Sequence, residues 1–167
     1  DYIMAVDRLK DLPGQKFRVK RKEIHQFVRF FAPEFRSVDL SSSLVQDDAL
    51  DVFVKWATHR GIERPEEENE YRALCRLLFA SREFPDLVAH AAYVDNKMVG
   101  FIVSEDLRNK YAMGHFCKAD LSVHSGIYAY MLQRHADALW KRGCHFLNTE
   151  QDLGHEGMRQ NKSSYIP

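Results

Sequence analysis

The chain has 167 residues, with 24 basic and 24 acidic side chains and a formal net charge of zero at pH 7. This length fits one domain, or one domain with an appendage, and the neutral balance argues against a surface that binds polyanions as a whole. No apolar run approaches the eighteen residues that a membrane span needs, and no signal peptide pattern opens the chain.

The first part of the chain is predicted to be mostly helical. A short helix is expected from Val6 to Leu12, where Pro13 and Gly14 end it. A second helix is expected over residues 15–31, with phenylalanines on one face and a basic run on the other. A short strand follows it, over residues 34–38.

Two more helices are predicted before the pattern changes. Ser43 and Gln46 match a capping box for a helix that ends near Gly61. Pro65 suits the first turn of the next helix, where the helix dipole favours the glutamates that follow it. This helix stops before Pro85.

Strands are predicted next. Residues 87–94 and 98–104 are rich in β-forming residues, and the Asp95-Asn96-Lys97 run between them is typical of a hairpin. Residues 111–118 predict a third strand.

The last part of the chain predicts an amphipathic helix over residues 126–142, a strand over 145–148 and a short helix over 156–162. On the long helix, Trp140 is expected to face inward. Three strands in hairpin order, then a helix and a returning strand, predict an α/β domain with a mixed sheet. A ligand is expected where neighbouring strands part, beside the long helix.

The final twenty residues form the densest polar stretch, and they carry a resemblance. The runs are N-T-E-Q-D-L-G at residues 148–154, G-M-R at 157–159 and S-Y-x-P at 164–167. With L-P-G-Q-K-F-R at 12–18 and K-A-D at 118–120, they resemble a bacterial domain family, largely uncharacterised, that is similar to the C-terminal domain of phosphatidylglycerol lysyltransferases. The predicted element order is also that of the GCN5-related N-acetyltransferase fold.

This resemblance implies an α/β fold, with a GCN5-related N-acetyltransferase-like mixed sheet flanked by helices. It implies the C-terminal half of a tandem protein, in which an upstream half and a last strand after Pro167 are missing here; the first residue is also not Met. Residues 1–32 are interpreted as N-terminal linker helices tied to that upstream half, and residues 33–167 as the acetyltransferase-like domain. The resemblance further implies that the phenylalanines of the linker pack on the upstream half: Phe17, Phe27 and Phe31.

The resemblance implies transfer of an acyl or aminoacyl group to an amine or a lipid hydroxyl. Such a reaction needs a held donor, a group that takes a proton and donors for an oxyanion. The catalytic candidates are Glu150, Asp152, His115 and Tyr165. The substrate-binding candidates are Lys118, Asp120, Arg159 and Lys162.

Structural interpretations of these residues stay open beside the functional ones. His115 also fits a half-buried structural histidine. Arg159 and Lys162 also fit partners of the two acidic residues in a structural network, and either carboxylate could cap the short helix that follows.

Two acyl donors remain possible, and no cofactor is certain. A coenzyme A derivative would place its pyrophosphate on the turn that opens the long helix, at Ser125, Gly126, Ile127 and Tyr128, although this turn has only one glycine. An aminoacyl-tRNA would instead contact basic side chains near the first helices, at Lys16, Lys20 and Arg21. The acceptor is expected to be a small molecule or a lipid.

The cysteines bear on location and on activity. Cys75, Cys117 and Cys144 are far apart, which predicts reduced thiols, no metal site and a cytoplasmic protein, with the inner face of the membrane as an alternative. Cys117 stands where the family often has Glu, and this removes one candidate base. The alternative function is therefore a catalytically inactive ligand-binding or regulatory module with the same fold.

Overall fold

The computed structural model describes residues 1–165, apart from the side chain of Glu67, and is built on one mixed sheet. The sheet has the strand order β1-β6-β5-β4-β3-β2. Neighbouring strands are antiparallel except β5 and β6, which run parallel. The strands are β1 Ile3–Ala5, β2 Glu34–Ser37, β3 Leu87–Val94, β4 Lys97–Asp106, β5 Tyr111–Ala119 and β6 Phe146–Asn148. The predicted mixed α/β sheet is confirmed.

Helices flank this sheet. Their bounds are α1 Val6–Asp11, α2 Arg18–Phe31, α3 Ser43–His59, α4 Asn69–Ala80, α5 Ile127–Lys141 and α6 Glu156–Ser163. Within residues 1–165, no helix has both the length and the apolar character that crossing a membrane requires.

Two predicted helix starts are wrong in detail. Ser42 is the N-cap of α3 and makes no side-chain capping bond, while Gln46 donates to the carbonyl oxygens of Leu40 and Leu78 instead of closing a capping box. Pro65 opens a short 3₁₀ turn, and α4 begins only at Asn69.

The first strand was not predicted. Residues 3–5 pair antiparallel with β6, and Met4 is buried in the core beside α1 and α5. Three residues are too few to show an alternating pattern, so only the distant partner strand reveals this element. Strands from both sides of residue 32 therefore share one sheet, and the division of the chain at that residue stays a prediction.

The linker phenylalanines pack inside this chain, which corrects the expectation that they need an upstream half. Phe17 and Phe27 are fully buried. The Phe27 ring lies 5.3 Å from that of Tyr130 on α5, and Phe31 packs beside it at 5.6 Å. Helix α2 is thus fixed against α5, the helix that lies beside the candidate site.

The expectation that Trp140 faces inward is wrong, because its side chain is 39% exposed at the outer end of α5.

Candidate functional site

A cavity of about 330 Å³ opens where the parallel strands β5 and β6 part. Their pairing ends at Met113 and Asn148, so within residues 1–165 no strand pairs with the second half of β5 on that side. On the other side of β5, its pairing with β4 has a register shift. Val103 pairs with Phe116 and Ser104 pairs with Gly114, so the residue between these two partners is skipped. A bulge of this kind bends a strand and changes the direction of its side chains. The cavity lies at the position that the strand order predicts.

The lining combines predicted and unpredicted residues. The predicted ones are His115, Lys118, Tyr128, Glu150, Lys162 and Tyr165. The unpredicted polar or aromatic ones are Trp56, Arg60, Glu70, Ser104, Phe116, His135, Thr149, Gln151 and Asn161. The other predicted site residues lie outside this lining: Asp120, Asp152, Arg159, Ser125, Gly126, Ile127, Lys16, Lys20 and Arg21.

Lys118 is a cation buried in the cavity wall. Its Nζ lies 2.7 Å from a Glu70 carboxylate oxygen and 3.5 Å from the ring centroid of Trp56. Burial lowers the pKa of Lys118 below its ordinary value, and the Glu70 carboxylate opposes this shift. A partly desolvated ammonium on an aromatic face is suited to bind an anionic or carbonyl oxygen.

Two further groups of the cavity are kept neutral by their surroundings. Burial raises the pKa of the Cys117 thiol to about 12, so it is not a thiolate nucleophile near neutral pH. Burial also raises the pKa of the Tyr128 hydroxyl. His115 accepts or donates one hydrogen bond with Glu105 at 3.0 Å, which fits the half-buried structural histidine considered above.

The loop between β6 and α6 forms one wall, and Asp152 organises it. Its carboxylate accepts hydrogen bonds from Tyr2 Oη at 2.8 Å, Arg159 Nε at 2.9 Å and the Gly154 N–H at 2.9 Å. The Arg159 bond, then the Gly154 and Tyr2 bonds, hold the pKa of Asp152 well below its usual range. Asp152 and Arg159 thus form the structural network that the sequence left open, and the N-cap of α6 is His155 instead of an acidic residue.

Lys162 ties the same loop to α6. Its ammonium donates to the carbonyl oxygens of Thr149 and Gln151, the latter at 2.7 Å. Glu150 adopts a left-handed backbone with φ of 60°, and its N–H donates to Asn148 Oδ1 at 2.8 Å. The Glu150 side chain is exposed and lines the cavity, whereas Asp152 lies outside the lining.

Replacing Asp152 with asparagine is expected to loosen this loop. The neutral amide weakens three hydrogen bonds, so amide exchange over residues 149–155 should accelerate on the order of tenfold. A carboxylate with a lowered pKa stabilises the fold above its unfolded pKa, and this contribution is lost as the pH falls through the folded pKa. The protection of the wild-type loop, expressed relative to the intrinsic exchange rate at each pH, should therefore fall in acid, whereas the protection of the Asn variant should not change with pH. Hydrogen exchange measured by mass spectrometry tests this, with Asp47→Asn on α3 as a control, and unchanged protection would contradict it.

The start of α5 does not present an open phosphate turn. The Gly126 N–H donates to His124 Nδ1 at 2.9 Å, and the Ile127 N–H donates to the His124 carbonyl at 3.4 Å. A Cβ on Gly126 would meet the Glu23 carbonyl oxygen at 2.6 Å, so α2 covers this turn. A pyrophosphate binds to N–H groups that lack other partners, and two of those predicted to bind it already have one.

The predicted basic residues divide into two roles. Arg21 donates to the carbonyl oxygens of Leu12 and Gly14, where it stabilises the turn before α2. Lys20 lies at the cavity rim, with its Nζ 3.2 Å from Asn161 Oδ1 and 4.8 Å from the Tyr165 ring centroid. Lys16 is exposed.

Several site residues were missed because their partners are distant in sequence. Glu70 belongs to an acidic run that reads as a solvated helix face, yet it pairs with Lys118 across 48 positions. The Ser104–His135 hydrogen bond joins β4 to α5, and no spacing in the sequence predicts it.

The predicted substrate-binding residue Asp120 accepts hydrogen bonds from the N–H and the hydroxyl group of Ser122 in the loop after β5. Pro167 lies outside the described residues.

Comparison with known proteins gives the relatives of the chain. Residues 1–167 match the family "Phosphatidylglycerol lysyltransferase, C-terminal". A conserved protein of unknown function from Bacteroides thetaiotaomicron is 29% identical with a TM-score of 0.87, over 100% of this chain and 55% of that one. No curated protein sequence matches.

Two further solved structures share the fold at lower sequence identity. The C-terminal domain of a proposed synthetase from Agrobacterium fabrum is 15% identical with a TM-score of 0.69, and the Bacillus licheniformis protein L-PGS is 13% identical with a TM-score of 0.70. Each match covers 99% of this chain and 56% of the other. The chain thus spans about half the length of these relatives, and the predicted acetyltransferase-like fold is confirmed.

Proposed function

Because the chain belongs to the family of phosphatidylglycerol lysyltransferase C-terminal domains, we propose that it transfers an acyl or aminoacyl group to an amine or to a lipid hydroxyl. The observation that carries this proposal is the buried Lys118 ammonium in the wall of a cavity of about 330 Å³. That volume is within the range of small-molecule sites, which is ~300–1,000 Å³. A cation in a desolvated wall stabilises the oxygen on which negative charge develops during acyl transfer.

The donor that we favour is an aminoacyl-tRNA. Coenzyme A would need free N–H groups at the start of α5, and His124 already accepts from two of them. Lys20 at the rim and the exposed Lys16 support contacts to phosphates, as lysine side chains donate to anionic oxygens. Glu150, which also lines the cavity, has an exposed side chain whose carboxylate is suited to orient the ammonium of an aminoacyl group.

The remaining predicted residues take supporting roles in this proposal. Asp152, Arg159 and Lys162 hold the loop that carries Glu150, because their polar atoms bind within the loop. Tyr165 is buried beside the cavity, and burial raises the pKa of its hydroxyl, so the hydroxyl stays protonated and can donate a hydrogen bond to a leaving group.

We also propose that residues 1–32 connect this domain to an upstream half and that the protein acts in the cytoplasm, at the inner face of the membrane when its acceptor is a lipid. Apolar side chains on the outer face of α2 support the first point: Val19 and Phe30 are more than 60% exposed.

The second candidate is a ligand-binding or regulatory module without catalysis. Two observations favour it. Cys117 is a neutral thiol where the family often has a carboxylate, and the turn before α5 is closed by His124 and Glu23. The cavity would then bind an aminoacyl or acyl compound without a chemical step.

A binding measurement separates these functions. Fluorescence anisotropy with aminoacylated and uncharged tRNA should show tighter binding of the aminoacylated form. Replacing Lys16 and Lys20 with alanine should weaken binding about tenfold and reduce the salt slope by about two, since each phosphate contact contributes ~0.7–0.9 to it. Lys97→Ala, at the β3–β4 hairpin, is the matched control and should bind as the wild type does.

Other outcomes assign the other functions. A melting shift with coenzyme A, without tRNA binding, would support the acetyl donor and contradict the aminoacyl donor. Binding of aminoacyl-tRNA without transfer to any amine or lipid hydroxyl would support the inactive module.

A further inference from the structure

A buried chain of three polar side chains ends at the floor of the cavity. Ser104 Oγ lies 2.7 Å from His135 Nε2, and His135 Nδ1 lies 3.0 Å from His90 Nδ1. Ser104 and His135 both line the cavity, and each is at most 1% exposed. These contacts belong to none of the residues to which the proposed function gives a role.

The contacts restrict the proton positions. Burial lowers the pKa of His135 and that of His90, so both rings are neutral near pH 7 and His135 Nε2 is free to accept a proton transiently. Two neutral rings that meet through Nδ1 atoms share one proton there. If His135 donates that proton to His90, its Nε2 is left as an acceptor for the Ser104 hydroxyl, which is the arrangement of a serine activated by a base.

Packing fixes the orientation of His90, the third residue of this hydrogen-bonded chain. The His90 ring is stacked on Phe35, with centroids 5.0 Å apart and planes at 9°. It meets the His135 ring at 80°. His90 is therefore held so that its Nδ1 faces His135, as the third group of a nucleophile–base–orienting residue set requires.

We propose that Ser104 is a nucleophile that accepts an acyl group from an ester, with His135 as its general base and His90 as a positioning residue. The Ser104 Oγ–carbonyl carbon bond forms as the hydroxyl proton passes to His135 Nε2. The ester carbon–oxygen bond then breaks, and the departing alkoxide takes the proton from His135. An amine or water then attacks the carbonyl carbon of the acyl-serine and gives its proton to His135. The carbon–Oγ bond breaks, and the departing Ser104 Oγ takes that proton back from His135.

This step deepens the proposed acyl transfer, and it rests on that proposal for the natural acyl donor. The position of Ser104 sets the class of acyl group. Ser104 is almost fully buried, and the volume of the cavity that it lines is at the lower end of the range for small-molecule sites. This small space favours a short acyl or aminoacyl group over a long lipid chain.

The test uses p-nitrophenyl acetate as the ester and needs no natural donor. The wild-type chain should release a burst of one p-nitrophenolate per molecule and gain one acetyl group, which peptide mass spectrometry should locate on Ser104. Ser104→Ala should reduce the burst rate at least tenfold, whereas Ser43→Ala, at the exposed start of α3, should leave it unchanged.

The histidines supply the second measurement. His90→Asn places an amide oxygen near the position of Nδ1 and should retain most of the burst, while His90→Leu should lose it with an unchanged circular dichroism spectrum. Acetylation of lysines alone, an equal burst from Ser104→Ala, or no adduct on the wild type would overturn the inference. None of these outcomes changes the anisotropy result with aminoacyl-tRNA, so the two proposals fail separately.

Discussion

Replacing Lys118 with methionine is expected to reduce acyl transfer about 100-fold and to raise the stability of the fold. The loss in rate follows because removing one preorganised donor from an oxyanion site costs ~10²–10³ in rate. Stability should rise by about 1–2 kcal/mol, because methionine removes the cost of desolvating the Lys118 ammonium, and the lowered pKa shows that Glu70 does not fully offset this cost. The Glu70 side chain is 46% exposed and stays hydrated without its partner, and the methionine sulfur can pack on Trp56.

Unfolding at two pH values tests the stability half of this prediction. A lysine whose folded pKa is lowered binds its proton more tightly in the unfolded chain, so wild-type stability should rise as the pH passes from the folded to the unfolded pKa. The methionine variant should lack that rise. Glu70→Gln is the matched variant, because it keeps the ammonium without its carboxylate and should destabilise the fold. Wild-type transfer by Lys118→Met would contradict the role given to this cation.

Replacing Phe27 with alanine is expected to destabilise the chain by about 3–5 kcal/mol, the usual cost of truncating a buried phenylalanine. Its ring contacts Tyr130, Phe31 and His124, so the cavity left behind would separate α2 from α5. Phe30→Ala, three residues further along the same helix, should change stability by less than about 0.5 kcal/mol, because that ring is 67% exposed. Urea unfolding compares the two variants directly.

Equal, small effects of both substitutions would mean that α2 does not pack on this domain by itself. That result would restore the expectation that its phenylalanines need an upstream half. A large effect at Phe27 alone would show that residues 18–31 are part of one folding unit with the sheet.

Local patterns predicted most of the fold. The helix over residues 127–141 and the hairpin of β3 and β4 have strong periodicity and turn residues, and both were found close to their predicted bounds. The wrong details concern elements without such a signal. Strand β1 has only three residues. The capping box at Ser43 does not form because the Gln46 side chain donates to a carbonyl oxygen of another helix instead.

The candidate site was predicted only where a motif marked it. The terminal motif correctly indicated a cavity wall, but it could not divide its charged residues between holding the loop and facing a ligand. That division depends on Tyr2, which binds Asp152 from 150 positions away. The Ser104–His135–His90 chain could not be predicted from local patterns either, because each of its contacts joins two elements that are distant in the sequence.

The pairing of β1 with β6 has a consequence for the order in which the protein becomes functional during synthesis. Residues 2–5 emerge from the ribosome well before their hydrogen-bond partners, which are residues 146–150. Contacts between such distant segments form late, because closing a long loop is slow and costs entropy. Strand β1 must therefore stay unpaired while residues 6–145 are synthesised, and the cavity wall formed by the loop after β6 is added only after that.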